Sequence, residues 1–464
     1  MSTTSSLKGA PPPVHAMEQA THVDVVAHEG LGAAPATAQG KPHHILNADG
    51  STGRFRNPHE SFVDGLGPAG TLGPLGFFKV MGTFVKYRFQ GKLDSPDTTP
   101  PTVTVRKPTF LSTRFPDNDP AKKHPLRATW LGHACYYIEF PTGLRVLFDP
   151  VFEDRCSPMS FLGPKRFTPA PCVLADLPAV DAVVISHSHY DHLSGPSVQT
   201  IRQHHPRAHF FVGLGLADWF RSAGIHQVTE LDWWQDAEAT VTLGPRGSSG
   251  GDSAPKTSTS TANTSSAAAT AASPSTIPPL KALISCLPSQ HTSARSPFDR
   301  DHTLWCSWAV SSGGRSVYFG GDTGYRTVDK DQEEIEAAVA EQGDGRVAAV
   351  HAADDAVRAQ RPGCPDFAHI GQLRGPFDVG LIPIGAYKPR TLFSGMHADP
   401  LDAVDIFQDT RCRRAMGIHW GTWALTTEPV LEPPQKLKEA LRRRGLPETG
   451  VFDVCEIGES REFD

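Results

Sequence analysis

Four side chains able to bind metal crowd the run Ile185-Ser186-His187-Ser188-His189-Tyr190-Asp191-His192, which continues the apolar stretch Asp181-Ala182-Val183-Val184-Ile185. Imidazole and carboxylate are the donors that zinc prefers, and ligands two residues apart at a strand end can converge on one ion while the next pair reaches a second. HxHxDH behind a strand is therefore a two-metal site in outline. The same grammar, an apolar run that stops at a possible ligand, recurs downstream. Leu283 to Gln290 leads to His291, Ser316 to Gly321 leads to Asp322, and Ala415 to Ile418 leads to His419. A lone histidine such as His291 is more often structural, but this constellation favours a metal centre. Strands alternating with helical stretches bring their carboxyl ends to one edge of a sheet, where α/β proteins collect functional groups.

The constellation lies between Arg127 and Trp420, so no domain boundary can fall inside it, and most of the 464 residues belong to one large α/β unit. Residues 126–464 form that unit; 244–279 within it is low in complexity, and 326–372 has a helical pattern at Glu333 to Val339 followed by a polar stretch. Residues 1–50, rich in Ala, Pro, Gly and Thr, are expected to be a disordered extension, and 51–125 a membrane-associating or packing region. A net charge of −6 without a long basic tract argues against nucleic acid. The eight cysteines form no CxxC pair and read as free thiols of a reducing compartment. No apolar core of a signal peptide follows Met1, and the first fifty residues lack arginine, which points away from secretion and import.

No stretch approaches the roughly 20 consecutive apolar residues of a membrane-spanning helix. Leu72 to Phe89, however, mixes Phe77, Phe78, Met81, Phe84 and Val85 with Lys79, Lys86 and Arg88. A helix of that pattern can lie on a bilayer with its basic residues at lipid phosphates, or pack over the core.

HxHxDH followed by His, Asp and His is the signature of the metallo-β-lactamase fold. The blocks Thr129-Trp130-Leu131-Gly132-His133-Ala134, Gly163-Pro164-Lys165-Arg166-Phe167, Glu230-Leu231-Asp232-Trp233-Trp234, Pro288-Ser289-Gln290-His291, Gly321-Asp322-Thr323-Gly324-Tyr325, Ile382 to Tyr387 and Ile418-His419-Trp420-Gly421-Thr422 more narrowly resemble the N-acylphosphatidylethanolamine-hydrolysing phospholipase D family. The resemblance starts near Gly53-Arg54-Phe55-Arg56-Asn57-Pro58, and it implies that 126–464 is the catalytic domain, with a first insertion at 244–279 and a second insertion at 326–372. It implies an α/β fold of four layers, αβ/βα, with two central mixed β-sheets flanked by helices. It implies two zinc ions: His187, His189 and His291 would hold one, Asp191, His192 and His419 the other, and Asp322 would bridge them.

A water bridging two such ions loses a proton near neutral pH and can attack a phosphodiester in line with its leaving alcohol. In the resembled family that attack separates N-acylethanolamine from phosphatidic acid. Asp191, Asp322 and His397 are the catalytic candidates, and Tyr190 and His397 the expected substrate contacts. His397 would donate a hydrogen bond or protonate the leaving alkoxide. Asp149, at the end of Leu144 to Phe148, would orient the ligand loop rather than bind metal. Position 396 is Met where animal members carry glutamine, so acyl-chain preference stays open. The expected partners are a phospholipid and an intracellular membrane surface, with a homodimer as the assembly. Two rival readings are another hydrolase of this fold, acting on lactones or a different lipid, and a membrane-binding module with a dead site. The complete ligand set disfavours the second.

Overall fold

Strand after strand in the central region alternates its apolar side chains between two environments, as the period of two requires. In the computed structural model, which describes residues 17–63, 94–244, 277–296, 298–341 and 347–464, this alternation separates two cores. Trp130, Tyr136, Ile138, Val146, Phe148, Val184 and Phe211 face one core together with Ile284, Trp308, Val317 and Phe319 of a second sheet. Their sequence neighbours Leu131, Tyr137, Leu147, Val183, Phe210 and Val212 face the other core, shared with Val198 and Ile201 of the helix Gly195–His204 and Phe220 of the helix Ala217–Ser222. Burying each large apolar side chain is worth about 1.5–3 kcal/mol, so the alternation fixes the register of both faces.

The first sheet has seven strands, in the order Ser460–Phe463, Leu126–Gly132, Cys135–Glu139, Arg145–Phe148, Ala182–Val184, His209–Gly213 and Val228–Leu231. The second has eight, in the order Ala20–Ala27, Asp236–Leu243, Leu280–Leu287, Ser307–Ser312, Arg315–Phe319, Phe377–Pro383, Cys412–Ile418 and Phe452–Asp453. Both sheets are mixed. The first turns parallel from Arg145–Phe148 onward and the second from Arg315–Phe319 onward. Helices Asp366–Leu373, Pro400–Asp409 and Glu432–Arg443 cover the outer side of the second sheet. The expected four layers are present.

The N-terminal extension departs from expectation. Residues 17–50 are not a disordered leader, because Ala20–Ala27 pairs antiparallel with Asp236–Leu243, with Val23 opposite Val241 and Val25 opposite Ala239. Arg114 reinforces it by donating to the carbonyl of Glu18. Composition misled here because an edge strand gains much of its order from backbone hydrogen bonds, to which Ala20, Val23 and Val25 add partly buried contacts with the core. The second insertion is helical, with Gln332–Glu341 and Val347–Arg358 meeting over Val328, Ile335 and Val357. The segment Leu72 to Phe89 and nearly all of the low-complexity insertion lie outside the described residues.

Strands Asp236–Leu243 and Leu280–Leu287 are antiparallel neighbours, with Val241 opposite Leu280. The chain thus leaves and re-enters the sheet at adjacent points. Deleting residues 248–275 is expected to leave melting temperature and metal content nearly unchanged, since loop closure costs little at either length. Loss of lipid hydrolysis in a well-folded deletion would instead assign those residues to the substrate entrance.

Candidate metal centre

Each sequence-predicted ligand stands just past the end of a strand, and both sheets deliver their strand ends to one place. Ala182–Val184 ends before His187, Leu280–Leu287 before His291, Arg315–Phe319 before Asp322 and Cys412–Ile418 before His419. Gly321 permits the junction between the sheets. Its φ is +57°, and a Cβ there would lie 2.6 Å from Cβ of Ser186.

Two groups result. In the first, His187 Nε2 lies 2.8 Å from His189 Nδ1, and His291 Nε2 lies 3.2 Å from the same atom. Asp322 Oδ2 faces this group at 3.8 Å from His187 Nε2 and 3.6 Å from His291 Nε2. In the second, Asp191 Oδ2 lies 3.4 Å from both His192 Nε2 and His419 Nε2. Asp322 Oδ1 faces that group, at 3.2 Å from His192 Nε2 and 3.0 Å from His419 Nε2. One carboxylate thus offers one oxygen to each group.

The outward nitrogens are held in place. His192 Nδ1 donates to Asp149 Oδ2 at 2.6 Å, and Asp149 also accepts from the backbone and hydroxyl of Ser186. His187 Nδ1 pairs with Ser186 Oγ at 2.9 Å, and His291 Nδ1 donates to the Met396 carbonyl at 2.9 Å. These partners set the tautomer that leaves Nε2 with its lone pair, the form a metal needs. His133, Asp149 and His419 have φ values of +52°, +39° and +61°. Such conformations cost about 1–3 kcal/mol each and gather where function demands a geometry.

Burial lowers His187, His189 and His291, which favours neutral, donating imidazoles. Burial pushes Asp322 and Asp191 up, yet the facing histidines hold both well below the ordinary carboxylate range. Burial also opposes charge on His419, but Asp322 and Asp191 raise it to about 9. The carboxylates therefore demand positive charge between them, from protons or from a cation.

A domain of the β-lactamase superfamily matches residues 144–342. The N-acyl-phosphatidylethanolamine-hydrolyzing phospholipase D 1 of Caenorhabditis elegans is 36% identical over 340 residues, 72% of this chain and 75% of the relative. This chain belongs to the N-acylphosphatidylethanolamine-hydrolysing phospholipase D family. A mitochondrial relative so named in Saccharomyces cerevisiae is 28% identical, over 76% of this chain and 59% of its own length. Among solved structures, the metallo hydrolase Igni18 of Ignicoccus hospitalis aligns with 74% of this chain and 99% of its own at 18% identity and a TM-score of 0.41. The chain is thus a metal-dependent hydrolase of phospholipase D type with the metallo-β-lactamase fold.

Within this phospholipase D-family chain, His397 joins the cluster, with Nδ1 3.9 Å from Asp322 Oδ2 and its ring stacked on His419 at 5.3 Å. Tyr190 is more occupied than expected. Its hydroxyl donates to the Arg295 carbonyl at 3.1 Å, and the Arg295 guanidinium covers its ring. His133 was missed as an individual residue. Its Nε2 lies 3.1 Å from Asp191 Oδ2, and it too follows a strand end, behind Leu126–Gly132. That position is the signal that could have found it.

Proposed function

We propose that this chain hydrolyses N-acylphosphatidylethanolamine to N-acylethanolamine and phosphatidic acid, using two zinc ions. The observation that carries the reading is Asp322, whose two oxygens face two separate groups of nitrogen and oxygen donors. The residues fit such ions. His192 Nε2 and Asp322 Oδ1 are buried without a hydrogen-bond partner, although buried polar atoms are normally satisfied. Two zinc ions would neutralise the phosphodiester and supply a nucleophile from water at neutral pH.

His187, His189, His291 and Asp322 Oδ2 would hold one ion, and Asp191, His192, His419 and Asp322 Oδ1 the other. Asp149, Ser186 and the Met396 carbonyl keep the imidazoles aimed. His397 has a side chain 14% exposed beside both groups, where a phosphate oxygen or leaving alkoxide can meet its N–H. Burial lowers it to about 4, so at neutral pH it begins as a neutral hydrogen-bond donor. An incoming phosphate charge favours its protonated form. The hydrolysis breaks the phosphorus–oxygen bond to the N-acylethanolamine, joins a water oxygen to phosphorus, and returns a proton to the alkoxide. Turnover in ¹⁸O-water should therefore label phosphatidic acid. Label in the N-acylethanolamine would overturn attack at phosphorus.

A lipid substrate calls for a peripheral membrane protein, which we take to act on an intracellular surface as a homodimer. No helix among the described residues is long and apolar enough to cross a membrane. We assign bilayer contact to Leu72 to Phe89. Replacing Phe77, Phe78 and Phe84 with Ser is expected to weaken liposome sedimentation and vesicle hydrolysis more than hydrolysis of a short-chain soluble substrate. Equal loss on both substrates with a lower melting temperature would mark the segment as core packing.

A further inference from the structure

The last helix of the second insertion carries an unused set of metal-binding side chains. In Cys364-Pro365-Asp366-Phe367-Ala368-His369, Asp366 and His369 fall on one face of the helix Asp366–Leu373, and Cys364 stands just before its N-cap residue Pro365. From the N-terminal segment, His59 Nε2 approaches Asp366 Oδ2 at 2.8 Å. Cys364 Sγ lies 4.0 Å from the same oxygen, and His369 Nδ1 lies 3.9 Å from Asp366 Oδ1.

We propose that His59, Cys364, Asp366 and His369 form a further cation site, separate from the catalytic centre and suited to a zinc-like divalent ion. Donor atoms of His59, Cys364 and Asp366 all lie within 4.8 Å of one another. Donors on a tetrahedral zinc, at bonds of about 2.0–2.3 Å, sit about 3.3–3.8 Å apart, so small side-chain rotations close the site. Cys364 and Asp366 are only 3% and 6% exposed. His369 offers a further donor: its Nδ1 atom is shielded from solvent and makes no hydrogen bond of normal geometry, although the ring edge leaves the side chain 28% exposed. Burial pushes the Cys364 thiol up, so its thiolate forms when a cation takes the proton's place.

The position gives the site a purpose. Asn57 Nδ2 donates to the His291 carbonyl, and its side-chain oxygen accepts from the His291 backbone N–H. Ser61 donates to the side chain of Gln290. His59 lies between these two anchors, so a bound ion would fasten the strap that holds the His291 loop to the helical insertion. The catalytic groups offer only nitrogen and oxygen, whereas this site adds sulfur.

That difference makes the test selective. The full-length protein loaded with Co²⁺ should show a thiolate-to-cobalt charge-transfer band in the near ultraviolet. Cys364→Ser should abolish that band and lower bound zinc by about one ion per chain, while the visible absorption of the nitrogen and oxygen centre persists. Asp322→Asn should instead keep the thiolate band and lose the visible absorption, so this proposal and the catalytic reading fail separately. Should Cys364→Ser not fold, His59→Ala and His369→Ala, verified by circular dichroism, should weaken the same band. Absence of the band in the wild-type chain, or an unchanged band and zinc content in folded variants, would reduce the cluster to a hydrogen-bonded His59–Asp366 pair with two polar neighbours.

Discussion

Replacing Asp322 by asparagine is expected to strip metal from both donor groups and to lower kcat/KM by on the order of 10³-fold, since a loss of several kcal/mol of charge stabilisation corresponds to that factor. The substitution keeps the shape but removes the charge, and the amide nitrogen places a donor where Oδ1 or Oδ2 now faces His192 and His419 or His187 and His291. Asp149→Asn is the contrast. Asp149 touches His192 only through Nδ1 and otherwise accepts from Ser186. Its replacement should retain most of the metal and cost about 10- to 100-fold in affinity or activity. Metal analysis and kinetics on both variants check this. An Asp322→Asn protein with undiminished metal and full turnover would exclude the bridging role.

Asp181→Ala is expected to destabilise the fold by about 3–5 kcal/mol, because it leaves a buried guanidinium unpaired. Arg114 and Asp181 both have fully buried side chains, and the Arg114 Nη1 to Asp181 Oδ2 distance is 2.7 Å. Asp181 also accepts from the backbone of Arg145, and Arg114 binds the carbonyls of Glu18 and Gly143. The pair therefore ties the N-terminal edge strand to the sheet that carries the HxHxDH loop. Replacing both residues with Leu should recover only part of the loss, since those carbonyls stay unsatisfied. Urea unfolding of these two variants beside the wild-type chain measures both losses, and an Asp181→Ala loss under about 1 kcal/mol would contradict the assigned burial.

Most of the cluster is legible in the sequence because its members stand where apolar strands stop, and strand polarity then dictates that they meet. Period-two alternation makes the two sheets legible for the same reason. His133 obeys the rule, but as one histidine in a block without a second ligand nearby it carries no spacing signal. The Met396 carbonyl that orients His291 is invisible in principle, since every residue has one. The insertion's polar residues are similarly deceptive. Arg358 reads as surface, yet it is buried against Asp354, Asp399 and Asp402, contacts made largely with residues distant in sequence. Ala20–Ala27 is ordered by its ladder with Asp236–Leu243, which composition does not report.

The most direct measurement is product identification by mass spectrometry after the zinc-loaded protein meets a panel of N-acylphosphatidylethanolamine, phosphatidylethanolamine, phosphatidylcholine and a soluble lactone. The expected result is N-acylethanolamine and phosphatidic acid from the first lipid alone, lost on chelation and in Asp322→Asn. Opening of the lactone, or cleavage of the ordinary phospholipids with N-acylphosphatidylethanolamine left intact, would contradict it.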